Sequence, residues 1–385
     1  MVAAAKVVAP PAVRPWQTSR TLESHREIRA CHLDQHQSSR ARSFRRLAGL
    51  LSTVLVAPSR ARAARATQPR EKANKIALIT GASTGIGKAT AQELCRSNMY
   101  SRIILAGHNE AKTKAAMDEM GPVAQTTELE YLPLGLASFK SVRQAAKQFQ
   151  DMNLPLHTLI CNAAVMALPQ RQVSADGNEL QLEVNYLSHF LLVNLLMPQL
   201  VKAGTDDDPA RIISVSSSAH FVRSPLAFGD AADLNLSGGE GDRYAYYPWT
   251  AYGQSKLAQV MFTYELARRL KARGLPVVAN ALDPGIVDTE LQRYLPTKAP
   301  SALMKLSKTP DRGADTVVLL ATRDAGRGSG GYWVDERLSE SLGRGKSPMP
   351  MNAELAVEGT TSYNESTWTE LWRCSSQLVG LETTI

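Results

Sequence analysis

Two side chains in this sequence have the types and spacing to move a proton together: Tyr252 and Lys256, in Tyr252-Gly253-Gln254-Ser255-Lys256. The stretch reads as the start of a helix, where a separation of four places both on one face, one turn apart. A free phenol has a pKa near about 10 and is protonated at neutral pH. A neighbouring ammonium favours the phenolate. The pair can therefore act as a general acid when a carbonyl or alkene is reduced, and as a base in reverse. Ahead of it, the apolar run Ala210–Ser216 ends in Ser216-Ser217-Ser218, hydroxyls suited to hydrogen-bonding a substrate oxygen.

A second constellation lies near residue 80. The apolar run Lys75–Thr80 enters Gly81-Ala82-Ser83-Thr84-Gly85-Ile86-Gly87, and a helical pattern begins there. Glycines let a backbone turn tightly and approach a pyrophosphate, while the new helix aims its first N–H groups at that anion. The strand before and the helix after make this more than an ordinary Gly-rich turn.

The elements that must position these groups alternate. Apolar, β-type runs at Lys75–Thr80, Arg102–Ala106, Glu128–Leu134, His157–Asn162, Ala210–Ser216, Pro276–Leu282 and Tyr332–Val334 are separated by helix-length amphipathic stretches. That rhythm predicts βαβ units and a parallel α/β sheet, with helices on both faces. Two stretches break it. Phe221–Thr250 is an insertion carrying Phe228, Tyr244, Tyr246, Tyr247 and Trp249, open to reading as a lid over an apolar substrate or as a self-packed loop. Ser339–Thr361 is rich in Gly, Ser, Pro and Met and precedes a short final helix around Glu365–Leu378.

Charge divides the chain. The net charge is +8 over 385 residues, but residues 1–70 hold thirteen Lys/Arg against three Asp/Glu, which leaves −2 for residues 71–385. The body gives no electrostatic reason to expect nucleic acid. Residues 1–70, rich in Arg, Ala and Ser and poor in acid, have the composition of an organellar transit peptide. Arg45-Arg46 before the eleven-residue apolar run Leu47–Ala57 leave a twin-arginine-type signal open. No stretch reads as long and apolar enough to span a bilayer, which takes about 20 residues. A chloroplast location, stromal or thylakoid-associated, is favoured over the thylakoid lumen or mitochondrion. Four scattered cysteines (Cys31, Cys95, Cys161, Cys374) form no metal or disulfide pattern. The organisation expected is a leader over 1–70, a nucleotide-binding domain over 71–338, and an extension over 339–385 packing on it.

From about Lys75 to Val334 the chain resembles the short-chain dehydrogenase/reductase family. The resemblance implies a single doubly wound Rossmann-type sheet of about seven strands. It also implies a nicotinamide cofactor at Gly81, Ser83, Thr84, Gly85, Ile86 and Gly87, with Leu136, Asn162, Ala163 and Ala164 at the ends of the third and fourth strands. Tyr252 and Lys256 would touch the cofactor as well as react. Ser217, aligned on Val-Ser-Ser-x-Ala-His, is the implied catalytic serine, with Ser216 the competing choice. Asn185, in Val184-Asn185-Tyr186-Leu187-Ser188-His189, matches the family's helix asparagine, which kinks its helix and holds a water linking Lys256 to solvent. Pro284, Gly285, Val287 and Thr289 fall in the loop that closes over the nicotinamide.

The nucleotide type is read at the second strand. NAD-specific sites carry an acid there for the ribose hydroxyls. This strand ends Ala106-Gly107-His108-Asn109, with Lys112 four residues after His108, so NADP(H) is favoured over NAD(H). His108 stands where the family often has Arg, and Gly135 where it usually has Asp.

Two branches compete. Trp249–Ala258 is similar to the retinol dehydrogenase-like branch. Ser329–Trp333, Trp372 and Leu378-Val379-Gly380-Leu381 are similar to light-dependent protochlorophyllide oxidoreductase, although Ile286 replaces that branch's cysteine. The partner expected is a small apolar carbonyl or alcohol, with a tetrapyrrole pigment as the alternative. A non-enzymatic NADP-binding sensor is the reading from another class. Peripheral membrane contact and oligomeric state stay open.

Overall fold

β1 (Lys75–Thr80) lies near the middle of an eight-stranded sheet with the order β3-β2-β1-β4-β5-β6-β7-β8. In this computed structural model the described residues are 74–221, 234–239, 245–294, 307–339, 365–382 and 385. The other strands are β2 (Tyr100–Gly107), β3 (Glu128–Pro133), β4 (Thr158–Cys161), β5 (Ala210–Val215), β6 (Val277–Asp283), β7 (Tyr332–Val334) and β8 (Arg337–Leu338). The first seven pair in parallel, and β8 adds one antiparallel pairing at the edge. Seven strands were expected; the eighth is a two-residue return strand too short to show as an apolar run. β1, β4, β5 and β6 are buried almost throughout, as central strands covered on both faces must be. β3 departs from the apolar pattern because it is the other edge, and Glu128, Glu130 and Tyr131 stay partly or wholly accessible.

Helices α1 (Gly85–Ser97), α2 (Glu110–Met120) and α6 (Pro310–Thr322) cover one face, where Leu94, Met120 and Leu320 meet Ile79, Ile103 and Leu105. On the other lie α3 (Phe139–Asp151), α4 (Leu180–Ala203) and α5 (Pro248–Ala272). The strand order reverses between β1 and β4, so the crevice outside their carboxyl ends is where a doubly wound sheet binds its ligand.

α4 corrects the reading that no stretch has membrane-spanning length and apolarity. It is 24 residues long and its most apolar 18-residue window has a mean hydropathy of 1.3, but 67% of that window is buried inside the fold. Its apolar residues are those of a core helix, packed against the sheet and its neighbouring helices. Near its start, Glu183–Leu187 form a π-turn: the Ser188 N–H reaches back five residues to the Glu183 carbonyl.

The final helix, α7 (Glu365–Leu378), packs on the α4–α5 face. Trp372 stacks on Phe262 (5.5 Å between ring centroids), meets Phe190 edge-on at 4.9 Å, and receives the Arg269 guanidinium 4.3 Å above its ring. Tyr186 and Ser375 share a buried hydrogen bond of 2.7 Å. The expected leader over 1–70, most of the segment 339–361, and Phe228 and Tyr244 lie outside the described residues.

Candidate active site

The carboxyl ends of β1, β2, β4, β5 and β6 open into a cavity of about 1030 Å³. One end is walled by the glycine loop and the other by Tyr252. The loop is shaped by what a side chain would strike. A Cβ on Gly81 (φ +68°) would lie 2.9 Å from the Ala163 backbone, and one on Gly87 only 2.4 Å from the Gly81 carbonyl oxygen and 2.6 Å from Asn162 Nδ2. Gly85 (φ +54°) faces Thr289 of the loop after β6, whose methyl would be 3.0 Å from an added Cβ. Asn162 fastens the loop from below, its Nδ2 donating to the Thr80 carbonyl at 2.9 Å. The Thr80 hydroxyl accepts from the N–H groups of Asn162 (2.9 Å) and Ala163 (3.0 Å). A backbone this close-fitted, at the start of α1, fits an extended pyrophosphate.

Tyr252 and Lys256 stand on the first turns of α5, which begins at Pro248, where a fixed φ and missing N–H cost a helix nothing. Both are nearly buried, at 3% and 2% exposure. Lys256 Nζ donates to the Val215 carbonyl at the end of β5 (2.9 Å) and lies 5.6 Å from the centre of the Tyr252 ring. The neighbouring serines divide. Ser217 lies beside the Tyr252 phenol, lines the cavity, and its hydroxyl accepts from the Ala219 N–H at 3.1 Å. Ser216 also borders the cavity, but its hydroxyl is taken up by the Lys256 backbone carbonyl, to which it donates at 2.9 Å. Asn185 sits inside the π-turn of α4. Its side chain accepts from Val165 N (2.8 Å) and donates to Val165 O and Ser255 Oγ (both 2.9 Å), joining the strand after β4 to α5. The structure thus brings Tyr252, Lys256 and Ser217 together, with Asn185 one residue away through Ser255.

Burial sets the charges. It pushes the Tyr252 phenol up, only partly offset by the nearby Ser217 hydroxyl, and the buried Asp283 carboxyl adds to the rise. Burial also brings the Lys256 ammonium down to about 7, with Asp283 acting the other way. Loss of water around the phenol is the largest effect and favours its protonated form. Asp283 accepts from the Gly285 N–H at 2.9 Å and so also shapes the loop beyond β6.

Every residue assigned to the nucleotide from sequence lines the cavity except Gly87, which is packed beneath the loop. Gly81, Ser83, Thr84, Gly85, Ile86 and Asn162 line it around the glycine loop; Pro284, Gly285, Val287 and Thr289 line it from the loop after β6. His108 is exposed on the rim. Lys112 is there too, but it is not an unoccupied base: its ammonium is 2.6 Å from the Glu290 carboxylate. Leu136 closes the side where an acid is missing. Ile286 lines the cavity at the position of the pigment branch's cysteine.

Sequence reasoning missed His189, although it quoted the residue. Its Nδ1 lies 2.9 Å from the Asn185 carbonyl and its Nε2 2.9 Å from the Thr80 hydroxyl. It also missed the apolar wall of Met166, Leu180, Val184 and Leu291; the i, i+4 spacing of Leu180 and Val184 was the available signal. Of the insertion's aromatics, Trp249 lines the cavity and meets Tyr252 edge-on at 6.2 Å. Tyr246 is bonded to the Leu168 carbonyl, and Tyr247 is exposed. Among the described residues no cluster of His, Cys, Asp or Glu is placed to hold a metal ion.

Known proteins share this arrangement. Residues 75–229 match the family model for short chain dehydrogenase. Polyprenol dehydrogenase of Homo sapiens is 36% identical over 80% of this chain and 86% of its own length. Retinol dehydrogenase 11 of Mus musculus is 34% identical over 80% of this chain and 87% of its own. A crystal structure of an uncharacterised protein from Mycobacterium Paratuberculosis superposes with a TM-score of 0.59 at 30% identity, covering 81% of this chain and 96% of that one. Of the two branch resemblances, these relatives carry the retinol dehydrogenase-like one. The pigment reading, and the chloroplast location tied to it, find no support among them.

Proposed function

The chain belongs to the short-chain dehydrogenase family and is an oxidoreductase, and from that premise we propose that it interconverts an apolar, isoprenoid-type alcohol and its aldehyde with NADP(H) in preference to NAD(H). One observation carries the reading: the Tyr252 phenol, with Ser217 beside it, is buried where the apolar wall of Met166, Leu180 and Val184 meets the cleft leading to the glycine loop. Two relatives of this chain are named for polyprenol and retinol, both long isoprenoid alcohols.

The dinucleotide, when bound, supplies or receives the hydride. The glycine loop and the α1 N-terminus would hold its pyrophosphate, and Asn162 to Ala164 would line its path. Ser217 donates a hydrogen bond to the substrate oxygen and orients it toward Tyr252. In reduction, the Tyr252 O–H gives its proton to that oxygen as the alcohol forms; in oxidation, the phenolate takes the alcohol proton. Lys256, in its protonated form, is the charge that brings the phenolate within reach during turnover, held in place through Val215 and Ser216. Val165, Trp249 and Leu291 keep water from the reacting carbon.

The test is an assay panel on the purified chain, with NADPH and NADH against retinal, a polyprenal, a short aliphatic aldehyde and protochlorophyllide, in darkness and in light. Turnover of the isoprenoid aldehydes in darkness, faster with NADPH, is expected. Turnover confined to the pigment, or to the short aldehyde, would overturn the substrate assignment.

A further inference from the structure

The cavity is crossed at its rim by one ion pair between segments 178 residues apart. Lys112, in the first turn of α2, holds the Glu290 carboxylate at 2.6 Å, and Glu290 directly follows the Thr289 that packs on Gly85. Both side chains line the cavity and both are partly exposed, at 41% and 54%. α2 also offers a carboxylate of its own, Glu110, but that one pairs with Lys114. The Asn109 side chain caps the helix by accepting from the Lys112 N–H, which fixes the backbone that carries the ammonium. Lys112 thus stands at the place assigned to a ribose 2′-phosphate, already paired with an anion from the opposite lip.

We propose that Glu290 is a nucleotide-discriminating residue, a carboxylate that competes with the 2′-phosphate for Lys112 and latches the two lips of the cleft together. This rests on the reading of the site as a dinucleotide cleft. A 2′-phosphate carries between one and two negative charges and cannot share one exposed ammonium with a carboxylate at contact distance without repulsion. An NADP-type nucleotide must therefore displace Glu290 from Lys112, whereas an NAD-type nucleotide, with a bare 2′-hydroxyl, leaves the pair intact. Glu290 narrows a preference that Lys112 alone would make wide. The exposed pair is weak enough to exchange, and salt screens it.

The test is equilibrium binding of NADPH and NADH, followed by fluorescence titration, to the wild-type chain, Glu290→Gln, Lys112→Met and the double variant. Glu290→Gln should tighten NADPH about fivefold and change NADH less than twofold, since only the former gains an uncontested cation. Lys112→Met should weaken NADPH alone, and in that background Glu290→Gln should no longer tighten it. Equal changes for both nucleotides, or a Glu290→Gln effect that survives the loss of Lys112, would overturn the latch while leaving the dinucleotide site standing. Failure of both nucleotides to bind the wild-type chain would remove the site itself, and the latch with it.

Discussion

The imidazole of His189 joins Asn185 to Thr80, accepting one fixed geometry at each ring nitrogen: Nδ1 at 2.9 Å from the Asn185 carbonyl, Nε2 at 2.9 Å from the Thr80 hydroxyl. A carbonyl can only accept, so Nδ1 carries the proton and Nε2 accepts from Thr80. Thr80 in turn takes the N–H groups of Asn162 and Ala163. One buried ring therefore ties the π-turn of α4 to the strand ends under the glycine loop.

His189→Gln should lower kcat on the order of tenfold through misplacement of these strand ends. It should also alter stability against pH. Burial brings the His189 pKa down from 6.5 to about 4. Between those values the unfolded chain binds a proton that the folded chain refuses, so the wild type loses stability as pH falls. Relative to His189→Gln, the loss should reach about 3 kcal/mol by pH 4. Chemical denaturation at pH 7, 5.5 and 4.5 measures it; parallel curves would show that folded His189 takes up its proton as readily as the unfolded chain does.

The serine pair gives a sharp kinetic contrast. Ser217 stands beside the phenol, whereas the Ser216 hydroxyl donates to the Lys256 backbone carbonyl. Ser217→Ala should cost about 10²-fold in kcat/KM, and Tyr252→Phe about 10³-fold or more. Ser216→Ala should cost only about 1 kcal/mol of stability, from one lost hydrogen bond, and leave kcat within a few-fold. Steady-state kinetics beside thermal melts separates the two, and a larger kinetic loss at Ser216 would reverse the assignment.

How far these roles were legible from sequence depends on whether a role is local. β1, the glycine loop and the Tyr252–Lys256 turn could be read because each is one contiguous stretch whose residues act on their immediate neighbours. The length and apolarity of α4 were masked by interrupting polar residues such as Glu183, Asn185 and His189, and its burial by α3, α5 and α7 leaves no mark on its own composition. The shift of Lys256 to about 7 was hidden for a similar reason: spacing reveals a partner but not the water lost around it. The Lys112–Glu290 pair and the His189 bridge span 178 and 109 residues, and no single window contains both ends.

Gly87 makes the packing of the phosphate loop testable. An added methyl would overlap the Gly81 carbonyl and the Asn162 amide, both of which are fixed by other bonds. Gly87→Ala should destabilise the fold by about 1–3 kcal/mol and weaken dinucleotide binding at least tenfold, because the loop must open to accept it. Melting curves and binding titrations on the same sample check both; unchanged binding would mean that the loop relaxes freely.

Trp372 ties α7 to the core through Phe262, Phe190 and Arg269, and it is 3% exposed. Trp372→Ala should cost about 3–5 kcal/mol, the range for emptying a buried aromatic site. Since α7 meets the outer side of α4 and α5, away from Tyr252, the protein that remains folded should keep its KM. Denaturant unfolding with kinetics at low temperature tests this.

Lys256 is expected to show catalysis and stability opposed at one side chain. Burial brings its pKa from 10.5 to about 7, so between those values the unfolded chain is protonated and the folded chain is not. Folding then releases a proton, and wild-type stability rises with pH across that window. A neutral residue of similar shape has no such dependence. Lys256→Met should therefore melt higher than the wild type at pH 7, with an advantage that shrinks by about 1.4 kcal/mol per pH unit toward pH 10. Lost activity should accompany the gain, as when a residue kept for function strains the fold that holds it. Unfolding curves at pH 7, 8 and 9 decide the matter: a constant difference between the two proteins would mean that Lys256 stays charged when buried, held by Asp283 and the Val215 carbonyl.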